Sequence, residues 1–224
     1  MRRATFLHIA REGWPLTLCV LVLAAVSHFY VHHFAALLLL LVASLLLLFF
    51  YEPSRTVPSE PLAVLAPVDG VITHCETGPD PWLDRESLHV RVKLGVLGAY
   101  MVRSPVEGTV LEVPADARNR NPGIASWIKT DEQDDVVLAV SRGSLLGASP
   151  LTVRYGERVG QGRRNGVRRL ARAVDIYMPA NSRLEVELGQ NVCAGRHVLA
   201  TLVHKQNGQQ SHNGESNGNG GKPA

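Results

Sequence analysis

The chain reads as a mainly β domain carried behind an N-terminal transmembrane helical hairpin, and three observations predict this. Between Glu12 and Glu52 there is no Lys, Arg, Asp or Glu, and the gap is filled by runs such as Leu37 to Leu41 and Leu45 to Leu48. After Pro58 the apolar runs shorten to strand length and are broken by Gly, Pro and Asp. Two short motifs in that second region each occur twice, which points to paired hairpins.

A bilayer core takes roughly 20 helical residues, so the uncharged gap is too long for one span. Polarity rises without a formal charge at Ser27, His28, Phe29, Tyr30, Val31, His32 and His33. Two short helices are therefore expected, about Trp14 to Val26 and Phe34 to Tyr51. Each would cover roughly 25 Å at 1.5 Å per residue. One long tilted helix is the competing arrangement. A signal peptide fits less well, because the second run ends in Phe49, Phe50 and Tyr51, a poor cleavage site but suited to a membrane interface. Arg2, Arg3 and Arg11 precede the hairpin and Arg55 follows it, while the turn has no basic residue. The positive-inside bias then places both ends in the cytoplasm, with the domain on the cytoplasmic face of the inner membrane. The expected segments are a cytoplasmic N-terminus (1–13), the hairpin (14–51), the β domain (52–204) and a tail (205–224). The tail is Gln-, Asn-, Gly- and Ser-rich, has nothing apolar to bury and is expected to be disordered.

Within the domain, Val71 to Thr73, Leu88 to Val92, Thr109 to Val113, Val136 to Val140, Val174 to Met178, Leu184 to Leu188 and the stretch up to Val203 are strand-sized, and several are β-branched and alternate in polarity. No helical period persists for three turns. Ala66-Pro67-Val68-Asp69-Gly70-Val71-Ile72 is echoed by Ser104-Pro105-Val106-Glu107-Gly108-Thr109-Val110. Gly156-Glu157-Arg158-Val159-Gly160-Gln161-Gly162 is echoed by Gly189-Gln190-Asn191-Val192-Cys193-Ala194-Gly195. The first motif is a tight turn that launches a strand; the second is a turn, one buried Val and another turn. Together they predict a barrel-sandwich-hybrid-like domain, the fold type of biotinyl and lipoyl domains.

The remaining composition narrows the chemistry. Cys19, Cys75 and Cys193 are scattered, odd in number and without metal spacing, so reduced structural cysteines are expected. His28, His32 and His33 read as polar rings at the membrane interface and His89 as a strand histidine, so no metal site is expected. The formal charge is only +3, but Arg154, Arg158, Arg163, Arg164, Arg168, Arg169 and Arg172 crowd one segment. Without interleaved aromatic residues, and behind a membrane hairpin, that stretch does not read as a nucleic-acid face. Guanidinium groups at a bilayer suit phosphate instead.

Along the chain stand Arg11-Glu12-Gly13-Trp14-Pro15, then Phe49-Phe50-Tyr51-Glu52-Pro53-Ser54-Arg55 after the apolar run, then the Asp69 turn, Arg103-Ser104-Pro105-Val106-Glu107-Gly108, Val174-Asp175-Ile176-Tyr177-Met178-Pro179 and Leu188-Gly189-Gln190-Asn191-Val192-Cys193-Ala194-Gly195. That order of motifs resembles the short, single-domain phosphatidylserine decarboxylases. The resemblance covers about residues 8 to 203 and implies a membrane enzyme that converts phosphatidylserine to phosphatidylethanolamine. It further implies self-cleavage at a Gly-Ser bond, by which the serine becomes a pyruvoyl group, with an Asp-His pair activating the serine.

Carried over position by position, the resemblance puts Asp69 at the family's Asp, Tyr100 at its His and Ala171-Arg172 at its Gly-Ser pair. A guanidinium cannot form an ester or become pyruvate, and a phenol with an unperturbed pKa of roughly 10 is a poor base at neutral pH. Asp69 without its His is then expected to serve its own turn. Ser182 and the Gly143-Ser144 pair are out of place in the order of motifs. The expectation is a family member with no cofactor, or a pyruvoyl group should it be active. Arg103, Arg163, Arg164, Arg168 and Arg169 are expected to contact a lipid headgroup. Its expected partners are phosphatidylserine or phosphatidylethanolamine, and a second copy or a processed decarboxylase. A working decarboxylase and a hybrid-barrel membrane adaptor are the alternatives.

Overall fold

The computed structural model describes residues 10, 13–30, 32–58, 60–95, 98–121, 123–141, 153–167 and 171–203. The expectations for Arg168, Arg169, Gly143-Ser144 and the 205–224 tail fall outside these. Two apolar helices come first, α1 (Gly13–Tyr30) and α2 (His33–Phe49). They run further toward each other than the polarity of Ser27 to His33 suggested, because uncharged polar side chains at helix ends can face out without breaking the backbone ladder. With 18 residues, α1 is long and apolar enough to cross a membrane; α2 is one residue shorter.

The two helices meet through small residues. Gly13, Thr17, Ala24 and Ser27 of α1 and Ala36 and Ala43 of α2 are buried, while Leu18, Leu37 and Leu45 on the outer surfaces are more than half exposed. Small residues inside and Leu outside is the pattern of helices packed in lipid. A β-carbon at Gly13 would come within 2.4 Å of the Phe50 ring, so glycine there lets the foot of the hairpin close.

Then follow β1 (Ala63–Leu65), β2 (Gly70–Asp80), β3 (Arg85–Leu94), β4 (Met101–Arg103), β5 (Gly108–Leu111), the short helix α3 (Ala115–Arg120), β6 (Gly123–Lys129), β7 (Asp135–Ser141), β8 (Arg158–Val159), β9 (Arg164–Val167), β10 (Ala173–Pro179), β11 (Arg183–Leu184), β12 (Asn191–Val192) and β13 (Val198–Thr201). The domain is mainly β, as expected. Its strands form three sheets rather than one continuous barrel: β1-β13-β11, β4-β9, and β12-β2-β3-β10-β7-β6-β5-β8.

The sequence echoes are structural duplicates. Leu65 N–H donates to Pro105 C=O and Arg103 N–H to Pro67 C=O, both at 2.8 Å, so the two Pro turns clasp reciprocally. Ile72 N–H bonds Gln190 C=O as Val110 N–H bonds Glu157 C=O, and Gly195 N–H bonds Ala66 C=O as Gly162 N–H bonds Ser104 C=O. The order of the large sheet is palindromic under this correspondence, with β12, β2 and β3 matching β8, β5 and β6. Gly70 and Gly108 share one constraint: an added β-carbon would sit 2.1 Å from Lys93 O in one case and 2.2 Å from Lys129 O in the other.

Period-2 alternation separates two cores. Val136, Leu138 and Val140 of β7, with Val174, Ile176 and Met178 of β10, join Val64, Ile72, Val90 and Leu199 in the main core. Val137, Ala139 and Tyr177 face the other way, against Trp82 and Ala117 of α3. Burial on both faces explains why these strands read as continuous apolar runs. The strand expected at Leu184 to Leu188 is shorter, and β6 and α3 were not foreseen, since neither has a long enough apolar signature.

Candidate functional site

Asp69 lies at the launch of β2 and staples three distant segments. Arg55, in the link after the hairpin, donates both terminal nitrogens to its carboxylate, Nη1 to Oδ1 and Nη2 to Oδ2, the latter at 2.7 Å. Ala99 N–H donates to Oδ2 at 2.8 Å and Ala194 N–H to Oδ1 at 2.7 Å. An ionised carboxylate offers about four lone-pair sites, and all are engaged. The expectation that Asp69 serves its own turn is therefore corrected: its partners are long-range, because the side chain points into the junction of three segments. Burial pushes this carboxyl's pKa up, but the Arg55 guanidinium and the two backbone N–H groups outweigh it, so the pKa lies below the ordinary carboxylate value.

Tyr100 follows Ala99 directly and is 1% exposed. Its ring packs on Phe50 at 5.1 Å and Phe49 at 6.0 Å between centroids, and its N–H donates to Tyr51 C=O at 3.1 Å. The residue is wedged into the foot of the hairpin. Arg172 is exposed, and its C=O accepts the Leu94 N–H, next to Gly95, whose N–H donates to Asp69 C=O at 3.4 Å. The end of β3 thus bridges the backbones of Asp69 and Arg172. The fold brings Asp69, Tyr100 and Ala171-Arg172 to one corner of the domain, below the hairpin.

Arg103 does not present itself to a headgroup. Its side chain is 7% exposed, with Nη2 2.7 Å from Glu52 Oε1, and Nη1 donates to Gly162 C=O. The reason is charge: Glu52, 1% exposed, is the first acid after the uncharged hairpin and needs a buried cation. Glu52 also accepts Met101 N–H at 2.9 Å and lies 3.5 Å from Arg164 Nε. Arg163 and Arg164 stay about half exposed or more, Arg163 near Glu157. Arg55 and Glu52 carry the site's organisation but were not singled out from sequence. Their signal was available: they are the first charges of each sign after the uncharged gap.

A second polar cluster lies on β3 and β10. Asp175 Oδ1 accepts from Arg91 Nε at 2.6 Å and lies 2.8 Å from His89 Nε2, whose ring stacks on Tyr177 at 4.5 Å. Burial raises the pKa of Asp175, but hydrogen bonds from His89 and Arg91 outweigh it and leave it lowered. Burial pushes Tyr177 up to about 12, so it stays a neutral phenol. A depressed carboxyl stabilises the fold above its unfolded pKa, roughly 3.9, and loses that contribution as pH falls through the folded value. Below about pH 4 the chain should lose stability, and Asp175→Asn should flatten that limb in a pH series of thermal unfolding.

No protein-family model matches the chain. Among solved structures it resembles glucose permease IIA from Mycoplasma capricolum, at 19% identity and a TM-score of 0.42, over 62% of this chain and 94% of that one. A phosphatidylserine decarboxylase proenzyme from Burkholderia lata is 33% identical over 205 residues, covering 87% of this chain and 96% of the relative. One from Paraburkholderia xenovorans is 32% identical over the same length, covering 87% and 97%. Identity of a third over 87% of this chain and 96% of the relative identifies the lineage: the chain belongs to the phosphatidylserine decarboxylase family.

Proposed function

We propose that this chain is a membrane-anchored, non-catalytic member of the family, which holds a phospholipid headgroup or assists a processed decarboxylase. The observation that carries the reading is the saturated carboxylate of Asp69, which has no lone pair left to orient a base. The residue in the reach of a base, Tyr100, is a phenol committed to the hairpin foot. The family's pyruvoyl group is made from a serine of the chain itself. Ala171 and Arg172, at the corresponding place, carry no hydroxyl, so the residues present do not fit that group. Arg163 and Arg164 are the exposed cations suited to phosphate, joined in sequence by Arg168 and Arg169. In this reading both helices enter the inner membrane, residues 52–204 form the domain, and it sits on the cytoplasmic face.

Mass spectrometry of the purified chain tests it. One species of 24.4 kDa is expected. Two fragments, the second beginning with a pyruvoyl group, would overturn the reading. The working-decarboxylase alternative is favoured by the names of the relatives, all proenzymes. Complementation of a strain lacking its own decarboxylase separates the two: no restored phosphatidylethanolamine is expected.

A further inference from the structure

We propose that His28 and His33 form a chelating site for a divalent first-row transition cation at the tip of the hairpin. Their Nδ1 atoms lie 3.3 Å apart. A tetrahedral ion bound to imidazole nitrogens at about 2.0–2.1 Å holds two such ligand atoms roughly 3.3 Å apart. The ring centroids are 4.7 Å apart and the rings are inclined by 51°. The two Nδ1 atoms are thus closer together than the ring centres.

The fold holds this pair in place. His28 is in the last turn of α1 and His33 opens α2. The connection is closed by His32 N–H to Ser27 C=O at 3.1 Å and Ala36 N–H to His32 C=O at 3.2 Å. Both rings are exposed, so an ion can enter from water. The far end of the hairpin is also remote from the β domain, which packs on its foot around Phe50 and Tyr100. Among the described residues no three His, Cys, Asp or Glu side chains are placed to hold a metal ion. The protein thus supplies two ligands, and water or a rotated His32, whose side chain makes no capping bond, supplies the rest. Two imidazoles without a carboxylate select copper, zinc or nickel over calcium or magnesium. An ion here would tie the end of α1 to the start of α2. A hydrogen bond between the two imidazoles gives the same separation without a metal, and experiment separates the two.

The probe is Zn2+, whose tetrahedral preference matches the 3.3 Å separation, added to the full-length, tag-free chain in detergent. Calorimetry should give one ion per chain, and X-ray absorption should show two or three nitrogen ligands at about 2.0–2.1 Å. His28→Gln and His33→Gln should each weaken binding at least tenfold, with helical circular dichroism unchanged. His32→Gln should weaken it less. Unchanged affinity in both His28→Gln and His33→Gln, or no binding by the parent chain at millimolar Zn2+, would overturn the proposal.

Discussion

Asp69→Ala should destabilise the domain by about 3–5 kcal/mol, the range for a buried charge or polar group stripped of its partner. The substitution leaves the Arg55 guanidinium, 17% exposed, without its carboxylate, and it leaves the Ala99 and Ala194 N–H groups without an acceptor. Three segments come loose together: the link below the hairpin, the loop before β4 and the turn after β12. For a chain of this length the thermal midpoint should fall on the order of 10 °C. Asp69→Asn keeps one acceptor and should cost less. The sign with pH follows from the lowered carboxyl: its contribution is complete above about pH 4 and disappears as acid protonates the folded form. Should Asp69→Ala melt within about 1 kcal/mol of the parent, the carboxylate is not the staple described above and a chemical role regains weight.

Breaking the Glu52–Arg103 pair should have an effect of similar size. Arg103→Ala leaves a carboxylate that is 1% exposed, with the Met101 N–H and a more distant Arg164 as its partners. Removing one member of a buried ion pair costs about 3–5 kcal/mol, because the other charge stays desolvated. The double variant Glu52→Gln/Arg103→Met should recover at least half of that loss, since the amide oxygen still accepts the Met101 N–H and no lone charge remains. Because Glu52 joins the end of the hairpin to β4, the single variant should also expose residues 52–58 to protease, whereas the double variant should resist. Equal proteolysis of parent and Arg103→Ala would show that the pair does not hold the link.

The placement of Tyr100 clarifies why these two ion pairs matter. A buried phenol ring on Phe49 and Phe50 supplies an apolar contact between hairpin and domain, and the two pairs flank it with charge. The corner that holds Asp69 and Tyr100 is, in this chain, the joint between the helical hairpin and the β domain.

Much of this was legible in the residues alone. An uncharged stretch between Glu12 and Glu52 can be nothing but lipid-facing helix or buried core, and alternation in Val136 to Val140 fixes strand faces, because both signals have the short period of the backbone itself. The two echoed turns pointed to paired hairpins, since the same turn chemistry imposes the same local path wherever it recurs. What only the tertiary structure decided is which charges meet. Asp69 bonds residues 14 and 125 positions away in sequence, and Arg103 is spent on Glu52, 51 positions earlier. No local period encodes such pairings; they arise when packing removes water from a corner, and each charge stranded there must find the nearest opposite one.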